Sequence, residues 1–186
     1  MFELALHILD LVQNSVAAGA KLVTVTIALD TEADTLSITI SDDGCGMDAE
    51  LLARVESPFA TTRTTRKVGL GIPMFKQCAE MCGGAFKLSS ARGAGTVLTA
   101  TFKASHVDLP PLGDLKGTML SLVVGSPETP DFALNYSVDG RSFEFDTRPI
   151  REALGGMPLA GVEILSWLDE YLAEGIAQVE GVPHVE

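Results

Sequence analysis

The chain has 186 residues, 46% of them hydrophobic, with 13 basic and 25 acidic side chains and a formal charge of −12. That length suits one domain or a domain with an appendage, and the apolar share is enough for a core. The negative charge argues against broad binding to a phosphate backbone, no apolar run approaches the roughly 20 residues of a membrane span, and the acidic N-terminus lacks a small-residue cleavage site. Base is concentrated only in "TTRTTRKVG", with Arg63, Arg66 and Lys67, which suits a small anion. The cysteines Cys45, Cys78 and Cys82 read as reduced thiols, so a cytoplasmic protein is expected. Cys78 and Cys82 lie one helical turn apart; two ligands are too few for a metal, and small core residues are the expected role.

Residues 3 to about 18 carry helical periodicity. "KLVTVTIALD" and "TLSITISD" alternate apolar and polar residues and are expected to pair as a hairpin through "TEAD". "DAELLARV" is a short helix capped by Asp48. "ESPFATTRTTRKVGLGI" reads as a loop, and "PMFKQCAEMCGG" as a helix with Pro near its start and Gly at its end. "AFKLSSA" and "GTVLTATFKA" are two further strands. The prolines and glycines of "SHVDLPPLGDLKG" mark a linker or corner. After it, "TMLSLVVGS" is expected to be a strand, and "FALNYSV" and "RSFEFDT" flank Asp139-Gly140 as a hairpin. "PIREALGG" and "GVEILSWLDEYLAEGIAQV" are helices, the second with Ile164, Leu165, Leu168, Leu172 and Ile176 along one face. The fold class expected is α+β: a two-layer sandwich with helices on one face of a mixed sheet over residues 1–103, and a smaller α+β module over 104–186.

Four stretches carry chemistry. In the first helix Glu3, His7, Asp10 and Asn14 recur at helical spacing and form a stripe. Alone, that stripe reads as a solvent face; in a pocket, Asp10 could activate a water and the Asn14 carbonyl could hold a hard cation such as Mg²⁺. "SDDGCGMD" follows a strand: a carboxylate there can accept from an exocyclic amine such as that of adenine, and Gly44 and Gly46 leave room for a flat ring. An acidic turn is the plainer alternative. "KVGLGIPMF" runs a glycine-rich turn into a helix, where backbone N–H groups can hold phosphate. It is neither a P-loop nor a dinucleotide fingerprint. "RGAGT" is a tight turn that places Thr96 at a strand start.

In this order the four stretches resemble the GHKL ATPase superfamily of gyrase B, heat-shock chaperone ATPases, MutL-type ATPases and histidine kinases, which share the Bergerat ATP-binding fold. "LDLVQNSVAAGA" looks like the N box, "DDGCGM" like the DxGxG box, "VGLGIPM" like the glycine-rich lid hinge and "GAGT" like the last box. The resemblance covers residues 5 to about 103. It implies ATP and Mg²⁺ as cofactors, with Asn14 on the cation and Asp42 on the adenine amine. Gly44, Gly46 and Met47 would lie beside the base, and Gly69, Leu70 and Gly71 beside the phosphates. Thr96 would assist the adenine. Thr61, Thr62 and Arg63 are similar to a "TTK" lid element, so that Arg63 or Lys67 would meet the phosphates. Asp43 is expected to be a solvated neighbour.

Asp10 stands where hydrolysing members carry glutamate, one methylene longer. General-base action needs a reach of about 2.6–3.2 Å, directly or through one water, so the shorter acid leaves hydrolysis open. The lid is short, as in histidine kinases and anti-sigma kinases, and no sensor, span or phosphoacceptor helix is seen before the N box. His7 is expected at the edge of the pocket or core. The function expected is an ATP-driven switch with slow hydrolysis as an option. The alternatives are a protein kinase, of the anti-sigma serine type or the histidine type, and a non-catalytic nucleotide-sensing adaptor. The expected partners are ATP or ADP and a protein bound through residues 104–186, without nucleic acid or membrane; an oligomer is left open. Trp167 and Tyr171, one turn apart, are expected in the core, with an interface as the other reading.

Overall fold

The computed structural model describes residues 3–55 and 70–181. Helix α1 (Leu4–Ala17) is followed by strands β1 (Leu22–Asp30) and β2 (Thr35–Asp42) and helices α2 (Ala49–Val55) and α3 (Gly71–Met81). Then come β3 (Phe86–Ala91), β4 (Gly95–Lys103), α4 (Leu115–Gly125), β5 (Asp131–Val138), β6 (Arg141–Asp146), α5 (Thr147–Leu154) and α6 (Val162–Glu180). The six strands form one mixed sheet in the order β3-β4-β2-β1-β5-β6. All neighbours are antiparallel except β1 and β5, which run parallel with Val23 beside Phe132 and Val25 beside Leu134. This is the α+β sandwich expected, and the strands of the second half extend the sheet of the first.

Alternation explains which side of the sheet is covered. Val23, Val25 and Ile27 of β1, Leu36, Ile38 and Ile40 of β2, and Leu98, Ala100 and Phe102 of β4 are buried under the helices. The intervening Thr24, Thr26, Ser37, Thr39, Thr99 and Thr101 face the open side, where Thr39 and Thr99 hydroxyls meet across strands at 3.1 Å. The β5–β6 hairpin turns at Asp139 (φ 48°) and Gly140 (φ 82°), two left-handed residues in succession, as the Asp-Gly pair requires.

The expectation of a strand over "TMLSLVVGS" is wrong: all of it but the closing Ser126, the C-cap, lies in α4. Its apolar run has no strict period, so neither pattern could be read from it. The decision comes from its start, where the Asp114 carboxylate accepts from the Gly117 N–H at 2.8 Å, and from burial of Leu115, Thr118, Met119, Leu122 and Val123 at helical spacing. The linker also has a local task. Pro111 and Leu112 carbonyls accept from the first free N–H groups of α1, Leu4 and Ala5, at 2.9 and 2.8 Å, where no side chain caps the helix.

Cys82 is buried and Cys78 half-buried beside it, and burial with the neighbouring sulfur pushes the Cys78 thiol up to about 11. Trp167 and Tyr171 correct the core expectation. They stack with centroids 5.2 Å apart and planes 10° off parallel, yet Trp167 keeps 49% of its surface exposed.

Candidate nucleotide site

Asp42 ends β2 on the helix-covered side, with Thr96 of β4 directly opposite and Ser90 of β3 opposite Thr96. The Asp42 carboxylate is fixed on both oxygens: Ser15 Oγ donates to Oδ2 at 2.6 Å and the Gly44 N–H donates to Oδ1 at 2.9 Å. Ser15 is buried, so it orients Asp42 from the core side. A carboxylate has about four acceptor positions, so one bond per oxygen leaves capacity for an incoming donor.

Ser90 ties the other wall together. Its hydroxyl lies 2.8 Å from the Gly95 carbonyl and 3.0 Å from Thr96 Oγ1, and it accepts from the Met47 N–H at 2.8 Å. Ser90 has one proton. Once that proton goes to the Gly95 carbonyl, Thr96 must donate to Ser90 and keeps its lone pairs as an acceptor.

The segment from Asp43 to Met47 is fastened on three sides. Asp43 accepts from the Lys21 and Leu22 N–H groups at 2.6 and 2.9 Å, and those two bonds, the Leu22 bond first, hold its carboxyl below the usual value. Asp43 is exposed, but it is a staple to β1 and not merely a solvated neighbour. Cys45 N–H donates to the Ala18 carbonyl at 3.0 Å, and the Cys45 carbonyl accepts from Gly93 at 2.7 Å. The glycines permit these approaches. A Cβ on Gly44 would lie 3.0 Å from both Ala18 Cβ and Asp42 Oδ1, and one on Gly46 (φ 64°) would strike the Ala91 carbonyl.

Helix α3 brings its N-terminus to α1. A Cβ on Gly71 would sit 3.6 Å from Asp10 Cβ and 3.9 Å from the Asn14 amide nitrogen. The exposed Asp10 and half-buried Asn14 therefore meet the positive end of α3, beside Leu70 at its N-cap. Thr61, Thr62, Arg63, Lys67 and Gly69 lie outside the described residues. Of the first-helix stripe, Glu3 points away from the site and accepts from the Asp114 N–H at 3.3 Å. His7 is half-buried with its ring 5.6 Å from Phe75, at the edge of the core.

Burial lowers the His7 pKa from its ordinary 6.5, opposed by the Asp10 charge. The unfolded chain therefore takes up this proton first, and stability should fall as pH drops from about 6.5 through the lower folded value. Thermal unfolding between about pH 7.5 and pH 5 checks this: the slope should shrink in His7→Gln, and an equal slope in both proteins would refute it.

The donor set suits a hard cation. Asn14 offers an amide oxygen next to a glycine that leaves space, with the Asp10 carboxylate one turn away, and magnesium takes one or two protein oxygens and keeps its waters. Among the described residues no group of three or more His, Cys, Asp or Glu side chains forms a cage of its own, and no helix is long and apolar enough to cross a membrane.

The comparisons bear on the family. An uncharacterized sensor-like histidine kinase of Rhizobium meliloti is 40% identical over 85 residues, covering 43% of this chain and 16% of that protein. The heme sensor protein HssS of Staphylococcus saprophyticus is 33% identical over 95 residues, 50% of this chain and 21% of the relative. Sporulation kinase C of Bacillus subtilis is 30% identical over 89 residues, 48% and 21%. The aligned stretch thus spans 21% or less of each of these relatives. A family model described as histidine kinase-, DNA gyrase B- and HSP90-like ATPase matches residues 3–106, more than half of the chain, and it includes every site residue named above. The chain belongs to that GHKL ATPase family, with an ATP-binding domain of the histidine kinase type.

Proposed function

We propose that the chain binds Mg-ATP with its adenine amine on Asp42, its base beside Gly44, Gly46 and Met47, and its phosphates at the start of α3. The observation that carries this reading is the fixing of Asp42 by Ser15 and Gly44, which holds an acceptor with spare capacity at the end of a strand. Thr96 faces the same space as a second acceptor. Asn14 would hold Mg²⁺, which neutralises phosphate charge when bound, and Asp10 would stand one turn away as the base for a water. Gly69, Leu70 and Gly71 would form the phosphate turn, and Thr61, Thr62, Arg63 and Lys67 the lid. The nucleotide state would be passed to a partner through residues 104–186. The protein would then act as an ATP-driven switch in the cytoplasm, alone or as an oligomer.

Hydrolysis would ask Asp10 to take a proton from a water attacking the γ-phosphorus as the bond to the bridging oxygen breaks. The kinase reading, with a hydroxyl or imidazole of a partner as acceptor, is favoured by the kinase relatives. Incubation with γ-labelled ATP and Mg²⁺ separates these readings, scoring free phosphate and protein-bound label. Repeated phosphate release, lost in both Asp10→Ala and Asp42→Asn, is expected for an ATPase. Noncovalent label without release, lost in Asp42→Asn alone, points to a kinase awaiting its substrate or to a sensor. Absence of any nucleotide binding in the unaltered chain would overturn the proposal.

A further inference from the structure

The second half of the chain presents an aromatic anchor that folding has fixed but not buried. Trp167 is exposed, yet it is not loose. It stacks on Tyr171, whose ring packs 5.3 Å from Phe143 and whose hydroxyl lies 3.4 Å from the Glu144 carbonyl. A rigid exposed aromatic has little side-chain freedom left to lose on contact, which is what a binding anchor requires. Beside it runs a groove of about 460 Å³ between α5 and α6, lined by Ile150, Ala153 and Leu154 from one helix and Ile164 and Trp167 from the other. Val162, 85% exposed, and Met157, 59% exposed, extend the apolar surface around the connection between the two helices.

Charge decides what fits there. Helix α6 carries Glu163, Asp169, Glu170, Glu174 and Glu180 and no Lys, Arg or His. Glu163, Glu170 and Glu174 lie one turn or two from Trp167 on its own face. Among the described residues only Asp169 of the helix has a cation, Lys116 at 2.8 Å. The guanidinium groups of α5 add little positive charge to the rim. Arg148 is bidentate on Asp146, and Arg151 is held by Asp131 at 2.8 Å. An apolar groove with an acidic rim matches an amphipathic helix whose polar face is basic.

We propose that the α5–α6 face docks a basic amphipathic helix of a protein partner, with Trp167 as the central anchor and Glu163 and Glu170 pairing with its cations. This rests on the reading of residues 104–186 as the partner-facing part. The chain has a single tryptophan, so its emission reports on the groove itself. The probe is a synthetic amphipathic peptide of leucine and lysine at helical spacing, titrated into the full chain. A saturable blue shift of Trp167 is expected. Affinity should fall roughly 3- to 10-fold in Glu163→Lys and about tenfold or more in Ala153→Gln, which fills the groove from an exposed position. ATP affinity, measured on the same samples, should not change in either variant.

No shift, or an equal shift with a leucine–glutamate peptide, would overturn the proposal. So would a shift that grows with protein concentration alone, which would put a second copy in the groove, or one given by phosphatidylcholine vesicles, which would put lipid there. Failure of docking with ATP binding intact sinks this inference and leaves the nucleotide site standing. Loss of ATP binding in the unaltered chain does the reverse.

Discussion

Replacing Asp42 with Asn is expected to weaken ATP binding about 10- to 100-fold without unfolding the protein, because a hydrogen bond to a charged acceptor contributes about 1.5–3 kcal/mol. The local structure can absorb the change. The amide oxygen can still accept from the Gly44 N–H, and the Ser15 hydroxyl can rotate to accept from the new NH₂ group in place of donating. The pocket cannot absorb it so easily. One of the two groups is now a donor, and the charge that attracted the exocyclic amine is gone. Calorimetric titration with ATP, with a thermal unfolding curve as the control on folding, checks this. Affinity within about twofold of the original would mean that Asp42 does not read the base.

The second large effect is structural and reaches the same site. Gly93 and Gly95 share one turn and similar dihedrals, φ 78° and φ 80°. A Cβ at Gly93 meets nothing within 4 Å, whereas one at Gly95 falls on the Asp42 carbonyl, with Asp43 Cα at 2.9 Å. Gly93→Ala should therefore cost only the left-handed conformation, about 1–2 kcal/mol. Gly95→Ala adds a backbone collision at the end of β2 and should cost about 3 kcal/mol or more, since the strands must part to relieve it. It should also displace Asp42, so the folded fraction loses ATP affinity as well. Urea denaturation of the two variants side by side is the measurement. Equal destabilisation would refute the close approach of the β3–β4 turn to Asp42.

Much of this was legible in the sequence because it is written in short-range code. The β1–β2 and β5–β6 hairpins follow from alternation and turn residues, and α1 from the spacing of Leu4, Ile8, Leu11 and Val12. The order of Asn14, Asp42, Gly71 and Thr96 along the chain led to the family. Segment α4 was not legible, since an unbroken apolar run fits either period and its Asp114 cap lies outside the run. Ser15 and Ser90 were missed for a different reason. Both are small polar residues on faces otherwise apolar, Ser15 among Leu11 and Val12 and Ser90 in step with Phe86 and Leu88. That misfit was visible as a pattern, but its meaning depends on what stands 27 residues away in one case and across the sheet in the other. Asp43 is similar: its partners Lys21 and Leu22 come close only once β1 and β2 have paired. For the exposed Trp167 the helix spacing was right, and what failed was the assumption that large aromatics one turn apart lie inside.

The parallel pairing of β1 with β5 has a consequence for any shortened form of this chain. Strand β1 is interior only because Asp131–Val138 lies beside Leu22–Leu29. A fragment stopping near residue 106 would turn that strand into a bare edge. A full row of N–H and C=O groups would lie open next to Val23, Val25 and Ile27, with no bulge or proline to blunt it. Such an edge invites addition of a strand from another molecule, so the half that matches the ATPase family would be the half that aggregates when expressed alone. The second half of the chain would then, apart from anything it binds, guard the first half from pairing with its own copies.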